Sequence, residues 1–434
     1  MSFFSKLAAA FMLIMISATA WAQVRVEVTE GAISEYNMAV SPIAVTDSAN
    51  AGLAEDLATA IERVFDITGY FKILDKRSFL EKPEVDFAAV DFKSWTNVGA
   101  NGLVKGKISG SSGDIDLDLA FYDVSGAKQL FRKKYTAPAN MLKTAAYRFT
   151  AEVIKTLTGE EMTFMFSKIA FVEKNGHQYN LVVTNFDGSG KKVIHSTQKT
   201  ILLPEWSADG TKIYFTSHES NNPNLYVIDI KSKKITLVSA YEGLNTSASA
   251  HSDNKTVSLC LSKDGNSEIY SLDTETKALT RLTTNSATDT APTVNSAGTE
   301  LAFVSNRAGN PQIYKLSLSN PANVERLTDQ GKYNQDPEFS PDGKKIAFSG
   351  RDEFYKFDIF VINLETRVIE RVTQNQGKNE SPTFSPDSRI IAFSSNRDGK
   401  NKLYLSNVAG TKQFAVYSGE GEVVTPTWSQ VTNQ

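Results

Sequence analysis

The 434-residue chain contains one cysteine, Cys260, and only four histidines. A single cysteine excludes an internal disulfide framework, and we expect Cys260 to lie in the core because free cysteine is usually buried. His177, His195, His218 and His251 lack the spacing of metal ligands. The sequence also lacks a Gly-x-Ser-x-Gly elbow, a His-Glu-x-x-His motif and a P-loop. These absences argue against the common hydrolase, zinc-enzyme and nucleotide-binding classes.

Excess charge of one sign and long apolar runs are also missing. The net charge is −3, so no basic surplus of the kind that binds nucleic acid is present. The longest apolar run, Leu7–Ile16, is too short to span a bilayer. It follows Lys6 and precedes an Ala-x-Ala site that ends at Ala22. This order predicts a secretory signal peptide over residues 1–22 and an exported chain that starts near Gln23.

The most prominent feature that is present is a repeat of about 44 residues. Its fullest copy is Pro-Glu-Phe-Ser-Pro-Asp-Gly, at residues 337–343, followed by the apolar run Lys-Ile-Ala-Phe-Ser. One copy is degraded and has Ala248 in place of the proline. The copies start at residues 204, 248, 292, 337, 382 and 426.

Each repeat contains short runs of β-branched and aromatic residues between Gly, Asn and Asp turns, which predicts four antiparallel strands. A unit of this length without a helix is typical of a propeller blade. Residues 168–194 supply three strands without a first strand, and residues 426–429 form a first strand with no blade after it. We therefore predict six blades, closed by the C-terminal strand, because closure removes the open sheet edges.

The region before the repeats predicts a different domain. Apolar residues recur at helical spacing over about residues 51–67 and again over about residues 140–157. Short strands and a hairpin lie between them, so residues 38–159 are expected to form a small α/β domain. The fold class is thus multidomain, α/β plus all-β, with the propeller over residues 160–434. Residues 23–37 remain as an N-terminal strand or tail.

Two interpretations of this tail stay open. Valines alternate with charged residues from Gln23 to Val28, which is typical of an edge strand. The segment either pairs with the domain behind it or leaves that domain and adds to a partner's sheet.

The repeat Pro-x-(Phe/Trp)-Ser-Pro-Asp-Gly, the Arg-Leu-Thr runs at 281–283 and 326–328, and Val-Arg-Val-Glu-Val at 24–28 together resemble the TolB family. The resemblance covers the full chain. It implies a periplasmic, non-catalytic adaptor of the Tol-Pal system that needs no cofactor and no metal. The adaptor would connect the inner-membrane protein TolA with the outer-membrane lipoprotein Pal. The implied roles are envelope integrity and outer-membrane constriction during cell division.

The resemblance also implies two sites. The TolA site would be the segment Gln23, Val24, Arg25, Val26, Glu27 and Val28. The Pal site would lie in the loops just before the Pro-led strands, at the mouth of the propeller channel. Matching those loops to this chain gives Leu244, Asn245, Thr246, Ser247, Asp289, Thr290, Gln335, Asp336, Glu380 and Ser381.

A second class of function stays open beside the adaptor. An exported propeller enzyme, or a protein that binds a small ligand or a metal such as calcium, would use the central channel. The sequence shows no nucleophile–base arrangement, which favours the adaptor.

Overall fold

The structure is a computed structural model. The predicted signal peptide, the segment Gln23–Val28 and most of the predicted tail lie outside the described residues. The structure describes residues 36–80, 87, 89–110, 113–220, 222–351, 356–417 and 419–430.

The N-terminal domain is a mixed sheet covered by helices. The strands are β1 (Tyr36–Val40), β2 (Ala44–Val45), β3 (Phe71–Ile73), β4 (Gly102–Ser109), β5 (Asp114–Asp123) and β6 (Lys128–Pro138). They follow the order β3-β1-β4-β5-β6 in the sheet, with β2 paired to β4. The strand β1 is parallel to its neighbours β3 and β4, whereas β4, β5 and β6 are antiparallel.

Both helices expected from the sequence are present, as α1 (Ala51–Thr68) and α3 (Leu142–Thr158). Each ends at a glycine in the left-handed region, Gly69 with φ 75° and Gly159 with φ 78°, where a Cβ atom would be strained. The sequence analysis missed the short helix α2 (Phe92–Asn97) and the strand β6. The strand β6 is largely exposed, so it lacks the alternation that identified its neighbours.

The remainder forms six four-stranded antiparallel sheets, as predicted. In each sheet the first strand lines the channel, and the second, third and fourth strands lie at increasing distance from it. Blade 1 consists of Ile201–Trp206, Lys212–Ser217, Asn224–Asp229 and Ile235–Ser239. Blade 2 consists of Asn245–Ala250, Thr256–Leu261, Glu268–Asp273 and Leu279–Arg281. Blade 3 consists of Asp289–Val294, Glu300–Ser305, Gln312–Ser317 and Asn320–Arg326.

The other three blades repeat this arrangement. Blade 6 takes its first strand from the C-terminal part of the chain, which confirms the predicted closure. Blade 4 consists of Tyr333–Phe339, Lys345–Arg351, Phe357–Asn363 and Ile369–Arg371. Blade 5 consists of Asn379–Phe384, Ile390–Ser395, Lys402–Asn407 and Gln413–Tyr417. Blade 6 consists of Glu422–Trp428, Lys168–Asn175, Gln178–Asn185 and Lys192–Thr197.

The repeated Ser-x-Asp-Gly turns serve the fold. In blade 1, Ser207 Oγ donates to Asp209 Oδ1 at 2.6 Å and accepts from Lys212 N at 3.0 Å. Gly210 takes the left-handed conformation, with φ 68°. In blade 4, Ser340 and Asp342 make the equivalent bonds. The turn therefore satisfies backbone groups where the inner strand passes into the second strand.

Each seam between neighbouring blades contains its own hydrophobic cluster. Cys260 is fully buried in the seam between blades 2 and 3, as expected from the sequence. The seam between blades 5 and 6 is larger, because it continues into the core of the N-terminal domain around Phe65 and Phe149. Trp428 closes this seam, and its Nε1 donates to Ser167 Oγ at 2.6 Å.

Polar contacts strengthen the junction between the domains. Asp387 Oδ2, in the first turn of blade 5, accepts from Thr163 N at 3.1 Å and from Phe164 N at 3.2 Å. Arg389 Nη1 lies 2.9 Å from Glu160 Oε2 and donates to Tyr70 Oη at 2.6 Å. The N-terminal domain is thus fixed to the ends of blades 5 and 6 that are remote from the predicted Pal loops.

Candidate binding site at the channel mouth

The inner strand of every blade contains a bulge at the same place. The register against the second strand shifts there in all six blades. The bulged residue has a positive φ, between 47° and 56°, although none of the six is glycine. Such a conformation costs a non-glycine residue of the order of 1 kcal/mol. We call these residues the upper ring: Leu203, Ser247, Ala291, Asp336, Ser381 and Thr425.

Two residues further along each strand, a second set of side chains surrounds the channel below the upper ring. Hydroxyl groups of this lower ring join neighbouring blades. Val294 N donates to Ser249 Oγ at 3.0 Å, and Trp428 N donates to Thr383 Oγ1 at 3.0 Å. The lower ring is defined by one position of the repeat, the residue after the proline or after Ala248, and all of its members except Thr383 line the open part of the channel: Glu205, Ser249, Thr293, Glu338, Thr383 and Thr427.

The two carboxyl groups of the lower ring belong to blades 1 and 4 and therefore lie on opposite sides of the six-fold ring. Glu205 Oε2 accepts from Thr427 Oγ1 at 3.1 Å. Burial raises the pKa of Glu205 to about 7. Burial, and then the charge of Glu205, raise the pKa of Glu338 well above its usual range. Both side chains are half-buried in the narrow channel, and their enclosure by protein disfavours the charged form of each carboxyl group.

A further carboxyl group lies above them, in the upper ring. Asp336 Oδ2 accepts from Ser349 Oγ at 3.2 Å and from Ser381 Oγ at 3.4 Å. Burial, followed by the charge of Glu380, raises the pKa of Asp336 to about 6. Gln335 Nε2 lies between the carboxyl groups of Asp336 and Glu380, 3.3 Å from Asp336 Oδ2 and 3.4 Å from Glu380 Oε1.

The structure brings eight of the ten predicted Pal residues together around the upper ring. Leu244 is 39% exposed. Seven others are half-buried and border the mouth: Thr246, Ser247, Thr290, Gln335, Asp336, Glu380 and Ser381.

Two predicted contact residues have different surroundings, because the side chains of Asn245 and Asp289 are fully buried. Asn245 Oδ1 accepts from Ser239 Oγ at 2.7 Å and from Tyr241 N at 2.8 Å. Asp289 Oδ2 accepts from Arg307 Nη2 at 2.8 Å and from Asn285 Nδ2 at 2.7 Å. These side chains hold the loops in place instead of facing the mouth.

The sequence analysis missed the lower ring. Each member directly follows the repeat proline, or Ala248 in blade 2, and was treated as an ordinary strand residue. A comparison of this one position across the repeats gives Glu, Ser, Thr, Glu, Thr and Thr. With six blades in a closed ring, this order alone would have placed the two glutamates opposite each other.

The channel is narrow, with about 100 Å³ open to water. Among the residues that the structure describes, no three His, Cys, Asp or Glu side chains converge as metal ligands. Within the same residues, no helix has both the length and the apolar character that a membrane span needs.

The fold and sequence are similar to a known family. The TolB amino-terminal domain matches residues 24–130, and the TolB beta propeller domain matches residues 154–432. Curated relatives include the Tol-Pal system protein TolB of Methylobacillus flagellatus, which is 30% identical over 54% of this chain and 53% of its own length. The TolB of Nitrosomonas europaea is 29% identical over 54% of each chain. The chain thus spans about half the length of the curated relatives that it matches.

The crystal structure of TolB from Acinetobacter baumannii is similar over more of the chain. It superimposes with a TM-score of 0.79 at 26% sequence identity, and the match covers 91% of this chain and 96% of that one. The similarity therefore includes both domains.

Proposed function

The chain belongs to the TolB family of the Tol-Pal system, and from that premise we propose that it acts as a non-catalytic periplasmic adaptor. In this proposal it links TolA of the inner-membrane complex to the outer-membrane lipoprotein Pal. The link supports envelope integrity and constriction of the outer membrane during cell division.

The observation that carries the proposal is the upper ring. Six strained residues sit at equivalent positions on a closed ring whose seams are hydrophobic and whose inner strands are joined by hydroxyl groups. Backbone strain of this kind persists only when the surrounding structure holds it in place, and it concentrates at binding sites. A rigid, concave mouth can bind a folded partner without rearranging its own backbone.

We assign the Pal contact to the mouth of blades 2–5. Leu244, Thr246 and Ser247 come from blade 2, and Thr290 from blade 3. Gln335, Asp336, Glu380 and Ser381 come from blades 4 and 5. Asn245 and Asp289 act indirectly, because they fix the loops from below.

The TolA contact is assigned to Gln23–Val28, which lies outside the described residues. Its alternation of valine with Arg25 and Glu27 suits addition to a partner's sheet edge. We further propose that docking and release of this segment couple the two sites. A truncated chain that begins at Glu30 should lose TolA binding, and normal TolA binding by that chain would contradict the assignment.

A pull-down from envelope extract tests the Pal assignment. Thr290→Arg places a long cationic side chain at the mouth and should remove most of the Pal that the wild type captures. Thr236→Arg is the matched control, since Thr236 is exposed on the outer strand of blade 1. Equal Pal capture by all three proteins would overturn the assignment.

The alternative function, catalysis or small-ligand binding in the channel, is limited by space. The open volume of about 100 Å³ compares with roughly 300–1,000 Å³ for small-molecule sites. Among the described residues, the pair Glu205 and Glu338 in the channel favours a bound cation such as calcium. A shift in thermal unfolding upon addition of calcium, absent from Glu205→Gln, would support that alternative.

A further inference from the structure

One buried position of the repeat carries an amide in three blades and a carboxyl group in a fourth. Three residues before the repeat proline, or before Ala248 in blade 2, the chain has Asn245, Asn334 and Asn379 in blades 2, 4 and 5. Blade 3 has Asp289 at this position, and all four side chains are buried. An amide both donates and accepts hydrogen bonds, whereas an ionised carboxyl group only accepts them. The substitution therefore changes which bonds the position can make.

In blades 4 and 5 the amide nitrogen at this position donates to the preceding blade. Asn334 Nδ2 donates to Gln312 Oε1 at 2.8 Å, and Asn379 Nδ2 donates to Asp358 Oδ1 at 2.9 Å. Each of these acceptor oxygens also accepts from a threonine of its own blade at 2.7 Å. The amide thus links the inner strand of one blade to the third strand of the blade before it.

The corresponding residue in front of Asp289 is Glu268. It occupies the same place in the strand register as Gln312 and Asp358. Its Oε2 accepts from Thr283 Oγ1, which is the bond that the threonines make in the other two blades. By this equivalence, Glu268 Oε2 is the oxygen that faces the side chain of Asp289.

The two oxygens of Asp289 have different surroundings. Oδ2 accepts from Arg307 Nη2 at 2.8 Å and from Asn285 Nδ2 at 2.7 Å. It corresponds to the amide oxygen of Asn379, which accepts from Arg397 Nη2. Oδ1 is buried and has no hydrogen-bond partner among the described residues. Oδ1 therefore takes the place of the amide nitrogen, where a donor is needed, and it can donate only when it carries a proton.

Glu268 is the ionised member of this pair. Burial opposes ionisation, but hydrogen bonds outweigh it and hold the pKa of Glu268 below its usual range. Its Oε1 accepts from Asn285 N at 2.8 Å, and from Arg281 Nη2 and Asn266 Nδ2 at 3.1 Å each. Arg281 Nη1 also lies 3.9 Å from Oδ2 of the exposed Asp264. The guanidinium of Arg281 thus balances the charge of Glu268.

Asp289 is the member that retains a proton more readily. Burial raises the pKa of Asp289, and the charge of Glu268 raises it too, while the bond from Ser305 and the charge of Arg307 act in the opposite direction. Cys260 Sγ lies 3.5 Å from the backbone oxygen of Asp289. Burial raises the pKa of the Cys260 thiol to about 12, so the thiol stays neutral beside the pair.

We propose that Asp289 donates a proton from Oδ1 to Glu268 Oε2, and that this shared proton holds Thr290 where Pal contacts it. The proposal rests on the proposed function and adds the regulation of that site. Asp289 acts as a positioning residue, since its side chain is buried below the mouth. A rise in pH removes the proton, leaves two buried carboxylates facing each other and loosens the loop. Pal therefore binds more weakly as the pH rises.

Calorimetric titration of the full chain with the lipid-free form of Pal from the same organism, at pH 5 and at pH 8, tests the proposal. Asp289→Asn supplies a donor at every pH, as in blades 4 and 5. It should bind Pal within about twofold of the wild type at pH 5. At pH 8 it should bind about fivefold more tightly than the wild type, which is the lower end of the usual coupling between two sites.

Asp273→Asn is the matched control, because it makes the same substitution at the opposite end of blade 2. The Asp273 carboxylate accepts from backbone N–H groups of its own hairpin, so its Kd should stay within about twofold of the wild type at both pH values. Comparison at one pH cancels the titration of other carboxyl groups at the mouth, such as Asp336. If Asp289→Asn bound Pal no more tightly than the wild type at pH 8, the proposal would be overturned.

A second variant decides the question if Asp289→Asn fails to fold. Glu268→Gln introduces an amide that can donate to ionised Asp289, so it too should bind more tightly than the wild type at pH 8. Wild-type or weaker binding by this variant would then reject the shared proton.

Urea unfolding tests the pair without Pal. Because the pKa of Asp289 is raised in the folded state, this carboxyl group makes the wild type lose stability as the pH rises above about 4. Asp289→Asn should reduce that loss, and Asp273→Asn should not. If the wild type failed to bind Pal at either pH, the proposed function would be wrong, and the unfolding profiles alone would judge the proton. Equal profiles for Asp289→Asn and the wild type would reject it.

Discussion

The two ends of the propeller use similar residues for different purposes. At the end that faces the N-terminal domain, the charged side chains are paired, as in Arg389–Glu160 and Lys412–Asp66. At the mouth, strained backbone surrounds carboxyl groups whose pKa is raised by burial, among them Glu205 and Asp336. The end that faces the N-terminal domain thus forms a stable junction. The mouth retains strained backbone and buried carboxyl groups, which lower stability, and such features are typical of a binding surface.

The largest difference in stability between the two ends of the propeller should appear when Trp428, at the end that joins the two domains, is replaced. Trp428 is 1% exposed and belongs to the core shared by both domains. Trp428→Ala should lower the free energy of unfolding by about 3–5 kcal/mol, because a large cavity opens and the bond to Ser167 is lost. Leu244→Ala, at the mouth, should cost less than about 0.5 kcal/mol. Urea unfolding of both variants measures the difference, and similar losses would remove the contrast.

The second prediction concerns the carboxyl groups of the lower ring. The folded state holds protons on Glu205 and Glu338 more tightly than the unfolded chain does, because both pKa values are raised. Stability should therefore fall as the pH rises from about 4.5 to 7. Glu205→Gln with Glu338→Gln should flatten this dependence and raise stability at pH 8 by up to about 3 kcal/mol.

Denaturant unfolding between pH 4 and pH 8 provides the measurement. Glu370→Gln, on the exposed face of an outer strand, is the control and should leave the profile unchanged. If the free energy of unfolding of the double variant fell with pH as steeply as that of the wild type, the carboxyl groups of Glu205 and Glu338 would not be a source of instability at the mouth.

The third prediction isolates the junction between the domains. Asp387 and Asp342 occupy the same turn in blades 5 and 4, and each accepts a hydroxyl bond within its turn. Asp387 also accepts from the backbone N–H groups of Thr163 and Phe164. Asp387→Ala should therefore destabilise the protein by about 1–2 kcal/mol more than Asp342→Ala does. If thermal unfolding gave the same loss of stability for Asp387→Ala and Asp342→Ala, the additional bonds to Thr163 and Phe164 would contribute nothing.

The smallest effect is expected in the upper ring. Ala291 has φ 49° and no side-chain hydrogen bond that glycine would remove. Ala291→Gly should change stability by less than about 1 kcal/mol, with a stabilising sign, because glycine relieves the left-handed strain. Ala302→Gly, in a buried extended strand, should be destabilising. A marked loss in Ala291→Gly would contradict the interpretation of the upper ring as strained.

The sequence predicted the propeller because its information is local and repeated. The proline, the turn and the apolar run identify each blade, even where Ala248 replaces the proline. The strand β6 was missed because exposed strands carry little hydrophobic pattern. The burial of Asn245 and Asp289 could not be predicted, since it depends on loops that fold over them from the preceding blade. The additional pair Tyr333–Arg351 at the start of blade 4 likewise depends on the pairing register of the strands, which the sequence does not state.

Hydrogen–deuterium exchange of the full chain, with and without purified Pal, tests the central claim most directly. The account predicts slower exchange in the amides around the mouth of blades 2–5, over residues 244–249, 289–293, 333–338 and 379–383. It predicts little change in the outer strand of blade 1 or in α1. Protection confined to the N-terminal domain, or spread evenly over all six blades, would contradict the claim that Pal binds at one side of the mouth.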